Sequence, residues 1–215
     1  MCFHSKQTKK AVVLENRYKA KVENSTLFET SANYNGFDFP KTPVITHENK
    51  EVIQLLQWGL IPKEEESDEI KKFTLNAKIE TLTEKRSFKN VISNRCLIIV
   101  DGFYEWQWLD NAGRKKQKYE LTLPDEVPFA FGGLWSMWED PTSGEALSTY
   151  TIVTTEANEQ MAEIHNSKKR MPVILTENTE NGWLNNEPTK DFVNVNPELM
   201  AKKIVKYNPQ TSLFG

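Results

Sequence analysis

Apolar residues in this chain fall mainly into short runs with strand character. Cys96-Leu-Ile-Ile-Val100 is unbroken, the pattern of a strand covered on both faces. Asp101-Gly102 turns the chain, and Phe103-Tyr-Glu-Trp-Gln-Trp108 follows as a second strand. Asn111-Ala-Gly113 closes a hairpin onto Lys118–Leu123. Glu51–Trp58, Phe129–Trp135 and Thr149–Thr154 are further strand candidates, and Met171–Leu175 runs extended. The helical candidates are short: Lys9–Lys21, with Val12, Val13 and Leu14 toward the core, then Arg86–Ser93, Glu156–Ile164, Asn178–Leu184 and Pro197–Lys203. Asn33-Tyr-Asn-Gly36 signals a turn, and Phe37–Ile45, with Pro40 and Pro43, reads as extended and irregular. Asn76-Ala-Lys-Ile-Glu-Thr81 reads as a polar loop entering a short helix. Strands dominate, and no repeat, low-complexity tract or linker interrupts them. The expected fold class is α+β: one domain over residues 1–215, built on a curled, barrel-like, mainly antiparallel sheet with short peripheral helices.

Composition narrows this picture. Apolar residues make up 38% of the 215 residues and aromatics 11%, enough for a sizeable core. No apolar run is long enough to span a bilayer. The first residues lack the apolar stretch of a signal peptide, so a cytoplasmic protein is expected, with no membrane partner. Two cysteines make no disulfide framework, and Cys96 reads as a buried thiol. Two cysteines and three histidines show no zinc spacing, so neither a metal nor a cofactor is expected. A net charge of −3 argues against a protein that coats duplex DNA by charge alone, yet leaves room for a local basic groove.

Several residues carry candidate chemistry. Cys2 follows Met1, and methionine aminopeptidases accept small second residues. Removal of Met1 would leave a 1,2-aminothiol, whose amine and thiol titrate near ~7.7–8.0 and ~8.5. Such a group condenses with an aldehyde to an imine and then closes a thiazolidine ring; the bland alternative is an incidental residue on a frayed terminus. Glu105 sits among Phe103, Tyr104 and Trp106. On one sheet face it is desolvated and suited to moving protons; on the other it simply faces water. His165 precedes the basic cluster Lys168-Lys169-Arg170, which can hold phosphate. Asn76 can orient a substrate or cap a helix. Trp58, Trp106, Trp108 and Trp135 offer ring faces for bases, although most tryptophans are core.

Six stretches together resemble the SOS-response-associated peptidase (SRAP) family of abasic-site processing proteins. They are Met1-Cys2, Trp58-Gly-Leu-Ile-Pro62, Asn76–Thr81, Arg95–Trp106, Pro128–Trp135, and Thr154–Asn158 with His165 and Arg170–Leu175. The resemblance implies the SRAP fold and a protein that finds abasic sites in single-stranded DNA and traps their aldehyde covalently on Cys2, with lyase-like imine chemistry and self-processing ahead of Cys2; a monomer is expected. It implies proton transfer by Glu105, sugar-ring opening and crosslink reversal by His165, and positioning of the sugar or the Cys2 amine by Asn76. DNA contacts are expected from His4, Lys78, Trp58, Lys168, Lys169 and Arg170, and a place at the nucleoid upon DNA damage.

The chain departs from the family pattern. Phe3-His4 stands where Gly-Arg is usual, Lys78 replaces an arginine, and the usual His-x-Arg-Met-Pro is stretched to His165-Asn-Ser-Lys-Lys-Arg170-Met-Pro. Phe37–Ile45 lacks the common Ala-Pro-Thr run. These departures bear on DNA contacts more than on the nucleophile. Two other functions stay open: a thiol-dependent peptidase using Cys2 as an N-terminal nucleophile, and a non-catalytic single-strand-binding module with Met1 retained.

Overall fold

The computed structural model describes residues 2–193 and 197–205. In chain order the strands and helices are β1 (His4–Gln7), α1 (Ala11–Tyr18), β2 (Lys21–Val22), β3 (Ser31–Asn35), β4 (Lys41–Thr46), β5 (Val52–Trp58), β6 (Asn76–Lys78), α2 (Arg86–Lys89), β7 (Arg95–Val100), β8 (Gly102–Trp108), β9 (Lys116–Thr122), β10 (Phe129–Glu139), β11 (Ala146–Glu156), α3 (Glu159–Ile164), β12 (Arg170–Pro172), β13 (Ile174–Leu175), α4 (Glu177–Leu184) and β14 (Met200–Ile204).

These strands build two sheets. One runs β12-β11-β10-β7-β4-β5-β2, and a parallel β11–β5 pairing closes β11, β10, β7, β4 and β5 into a five-stranded ring. The other runs β14-β9-β8-β1-β3, all antiparallel. The result is the expected α+β architecture, with a mainly antiparallel barrel and short helices at its periphery.

All six residues of β7 are buried, as its unbroken apolar run requires. Cys96, Ile98 and Val100 join one core with Phe103, Leu121, Phe131 and Tyr150, while Leu97 and Ile99 join a second with Ile53, Val153 and Trp183. The period-2 alternation of side chains divides the strand between two cores. The cores are stitched by Trp183, whose Nε1 donates to the Cys96 carbonyl at 3.1 Å.

Several expectations change. The first helix is shorter than Lys9–Lys21, and only Leu14 is buried; Val12 and Val13 lie on the surface. Three consecutive helical positions span most of a turn, so they cannot share one face. Pro197–Lys203 is not a helix: Met200–Ile204 pairs as a strand with β9, tertiary pairing overriding local propensity. Phe37–Ile45 divides into a 3-10 turn, Gly36–Asp38, and strand β4. Pro43 is accommodated within β4 because pairing with β7 starts only at Val44. Asn76–Lys78 is a strand on the flank of β11, followed by the 3-10 turn Ile79–Thr81. Strands β1 and β3 have no apolar signature in the sequence.

Among the described residues, no helix is long and apolar enough to cross a membrane, and no group of three or more His, Cys, Asp or Glu side chains is placed to hold a metal ion.

Candidate active site

Strand β1 sits between β3 and β8, pairing Ser5 with Phe103 and Lys6 with Gly102. Its sequence, His-Ser-Lys-Gln, has weak strand propensity, yet Ser5, Lys6 and Gln7 are buried. The Lys6 ammonium is neutralised by Glu120 at 2.8 Å and Glu126 at 3.4 Å. Pairing on both edges and these ion pairs hold the strand that delivers Cys2.

Cys2 is fully buried and joins the core that contains Phe103 and Phe131. Two backbone anchors fix its neighbourhood. The Asn76 amide donates to the Cys2 carbonyl at 2.9 Å, and the Gly36 N–H donates to the Phe3 carbonyl at 2.8 Å. Asn76 gains this reach because β6 runs parallel to β11, with Asn76 opposite Ile152. Its Oδ1 is buried with no hydrogen-bond partner among the described residues. Burial, aided by the negative charge of Glu105, pushes the Cys2 thiol well above the usual thiol range.

Glu105 occupies the core-facing side of β8, with Phe103, while Tyr104 and Trp106 point to the other side, where Lys118 lies over both rings. The carboxyl is 4% exposed, and its Oε1 lacks a partner among the described residues. Burial raises its pKa to about 8, against the pull of the Trp106 backbone hydrogen bond. Of the two readings of this residue, the desolvated one describes the structure.

His165 caps the C-terminus of α3, a helix started by Asn158, whose side chain accepts from the Met161 N–H at 2.9 Å. Its Nε2 lies 3.9 Å from Glu105 Oε2. On the other side of the ring, Nδ1 lies 2.7 Å from the Arg170 carbonyl, close enough for an N–H to donate to it. Burial lowers the pKa of His165, so the ring is neutral near pH 7. The loop that follows is tied to β8 by Asn166, which accepts from the Trp108 N–H and donates to the Trp108 carbonyl, each at 2.9 Å.

Cys2 just ahead of β1, Asn76 on β6, Glu105 on β8 and His165 at a helix end therefore converge. The expected DNA contacts are placed less uniformly. Lys78, Lys168 and Lys169 are exposed. His4 is half-buried, hydrogen-bonds Asn33 at 3.1 Å and packs on Trp106 at 4.8 Å; burial lowers its pKa, so it is a cation only in acid. Trp58 is fully buried, its Nε1 donating to the Leu75 carbonyl at 2.8 Å and its ring stacked on Tyr150. It offers bases no free face and instead lies against Gly36, beneath the anchor of Phe3. Arg170 is buried and engaged: it grips Glu80 with both terminal nitrogens, at 2.9 and 2.8 Å, and donates to the Thr154 carbonyl. The sequence pattern does not single out Glu80 or Asn166. Glu80 lies within Asn76–Thr81, but only the fold reveals its partner.

Comparison with known proteins follows the same outline. The family model described as SOS response associated peptidase (SRAP) matches residues 1–209. The chain is 45% identical over 135 residues to the abasic site processing protein YoqW of Bacillus subtilis (strain 168), a match covering 62% of this chain and 58% of that protein. It is 31% identical over 182 residues to the abasic site processing protein HMCES of Gallus gallus, covering 74% and 50%. The chain thus spans less than two thirds of the length of these curated relatives. A crystal structure of a protein from Bacteroides thetaiotaomicron superposes with a TM-score of 0.86 at 32% identity, covering 95% of this chain and 92% of that one. A Bordetella bronchiseptica structure, at 24% identity and a TM-score of 0.78 over 95% of this chain and all of the other, shares the fold.

Proposed function

The chain belongs to the SOS response associated peptidase (SRAP) family, and on that premise we propose that it processes abasic sites in single-stranded DNA, forming a covalent crosslink through Cys2 once Met1 has been removed. The observation that carries this reading is the convergence on Cys2 of an amide donor, Asn76, a buried carboxyl, Glu105, and an imidazole, His165.

An abasic sugar in its ring-opened form presents an aldehyde at C1′. The Cys2 amine adds to this carbon, giving a carbinolamine. Protonated Glu105 gives its proton to the hydroxyl, which leaves as water and yields the imine. The thiol then adds to the imine carbon, its proton passing to the Glu105 carboxylate or to the ring nitrogen. The product is a thiazolidine, and the overall balance is aldehyde plus aminothiol to thiazolidine plus one water. A carboxyl titrating near neutrality can serve as both acid and base. Neutral His165, with Nε2 toward Glu105, takes the sugar hydroxyl proton during ring opening. A thiol with a raised pKa suits this order, in which the amine attacks first.

Lys78, Lys168 and Lys169 supply phosphate contacts on the exposed rim, and half-buried Trp106, beside His4, takes the stacking role that buried Trp58 does not. The protein acts as a monomer in the cytoplasm, at damaged DNA. A thiolate peptidase is disfavoured because its nucleophile needs a lowered pKa, whereas here burial raises it.

The test is incubation with an oligonucleotide carrying one uracil-derived abasic site. A one-to-one adduct stable to heat without borohydride, with the mass of the Met1-free protein plus DNA minus water, is expected. Cys2→Ala should abolish it, while Cys2→Ser should leave a trace that survives only after reduction. An undiminished adduct with Cys2→Ala would reject the proposal.

A further inference from the structure

The ion pair between Glu80 and Arg170 has no part in the chemistry above, yet it touches both halves of the site. Glu80 lies in the 3-10 turn directly after β6, the strand whose Asn76 holds the Cys2 carbonyl. Arg170 opens β12, and its backbone carbonyl lies 2.7 Å from Nδ1 of His165. One fork of two hydrogen bonds, 2.9 and 2.8 Å long, therefore joins the segment that holds Cys2 to the loop that holds His165.

We infer that Glu80 is a positioning residue: by clamping the Arg170 guanidinium it fixes the Arg170 carbonyl, and that carbonyl holds His165 with its proton on Nδ1 and its Nε2 lone pair toward Glu105. The loop between them is tied to β8 through Asn166 and to β11 through the β12 pairing, but neither tie touches the imidazole. Lys169 stands in the left-handed region at φ 50°, a conformation that disfavours a side chain. The loop's own hydrogen bonds run from the Lys168 and Lys169 N–H groups to the His165 carbonyl and from the Ala157 N–H to the Lys169 carbonyl. None of these selects a ring tautomer. The Arg170 N–H already donates toward the same Nδ1 at 3.3 Å, the longer of two competing contacts, so a small backbone rotation would favour that donor over the carbonyl and invert the tautomer. A bidentate arginine–carboxylate contact has the directional stiffness to prevent this. Its contribution to stability is small, because the Glu80 side chain is 41% exposed. Among the described residues, Glu105 from β8, Lys168 from its own loop and the Arg170 backbone from β12 face the imidazole.

This inference rests on the proposed function only where it assigns His165 to the reacting sugar. Glu80→Gln keeps the side chain's size and removes its charge, and Arg170→Lys breaks the same fork from the other side. Three measurements on the full chain decide it. The first is the ¹⁵N chemical shifts of the His165 ring without DNA. The second is the single-turnover crosslinking rate across pH, and the third is the affinity for an intact, lesion-free single strand. The wild type should show Nδ1–H, and both variants should show a mixed or inverted tautomer. Their crosslinking should slow ~10-fold or more with an altered pH profile, as misplacement of a reacting group predicts, while lesion-free affinity stays unchanged. A folded Glu80→Gln protein with the wild-type tautomer and pH profile would overturn the inference. So would tighter binding of the lesion-free strand, because Glu80 would then be holding Arg170 away from a phosphate. A wild type that forms no Cys2-dependent adduct would defeat the functional reading alone, and the ring shifts would still judge the positioning.

Discussion

Nε2 of His165 and Oε2 of Glu105 face each other across 3.9 Å inside the protein, and burial pushes both groups toward their uncharged forms. An uncharged carboxylic acid beside an uncharged imidazole is a proton donor next to a proton acceptor, with no ion pair to break before the proton moves.

That arrangement predicts a bell-shaped rate. Crosslinking should rise as the Cys2 amine loses its proton, near pH ~7.7–8.0 for a model amine, and fall as Glu105 loses its own near about 8. Single-turnover rates across pH measure this. Glu105→Gln, which cannot titrate, should remove the alkaline limb and slow the reaction by ~10²-fold or more. An alkaline limb that persists in Glu105→Gln assigns it to another group.

Glu105 also couples stability to pH. Its folded pKa, about 8, lies above the ordinary carboxyl value of 4.5. The folded state thus binds the proton more tightly, and stability falls as pH rises between those values. Glu105→Gln should remove this loss, so its stability relative to the wild type should rise with pH and be greatest above pH 8. Urea melts at acidic and alkaline pH provide the comparison; an equal difference at both ends would contradict the coupling.

The exposed rim lysines carry a separate prediction. Lys168→Ala with Lys169→Ala should weaken binding of single-stranded DNA and reduce the magnitude of the log K against log salt slope by about 0.7 for each phosphate no longer neutralised. The rate at saturating DNA should hold. Titrations at several salt concentrations test this, and an unchanged slope would remove these lysines from the DNA path.

Gly133 is a purely structural test. A Cβ there would lie 2.8 Å from Cys96 Sγ and 2.9 Å from the Thr151 carbonyl, inside the pairing of β7, β10 and β11. Gly133→Ala should destabilise the fold by about 1–3 kcal/mol, the cost of overpacking a core. Thermal melting at neutral pH measures it.

Legibility in the sequence followed burial. Strands β7 and β8 were readable because Cys96–Val100 is apolar throughout and Phe103–Trp108 alternates. The carboxyl of Glu105 was readable as unusual for the same reason, though which face it took was not. Strand β1 was not readable. His-Ser-Lys-Gln is extended because β3 and β8 flank it and Glu120, far along the chain, neutralises Lys6. Trp58 and Arg170 show the same limit in complementary ways. Both residue types suit nucleic acids, but one closes a core and the other meets Glu80. A sequence records residue types, and only the fold records their partners.

The seclusion of Cys2 bears on its survival in the cell. A 1,2-aminothiol in open water would be consumed by small metabolic aldehydes and by peroxide, since both react with any accessible sulfur or amine. The fully buried Cys2 side chain is kept from such scavengers, so on the proposed reading its reactivity is spared for the lesion.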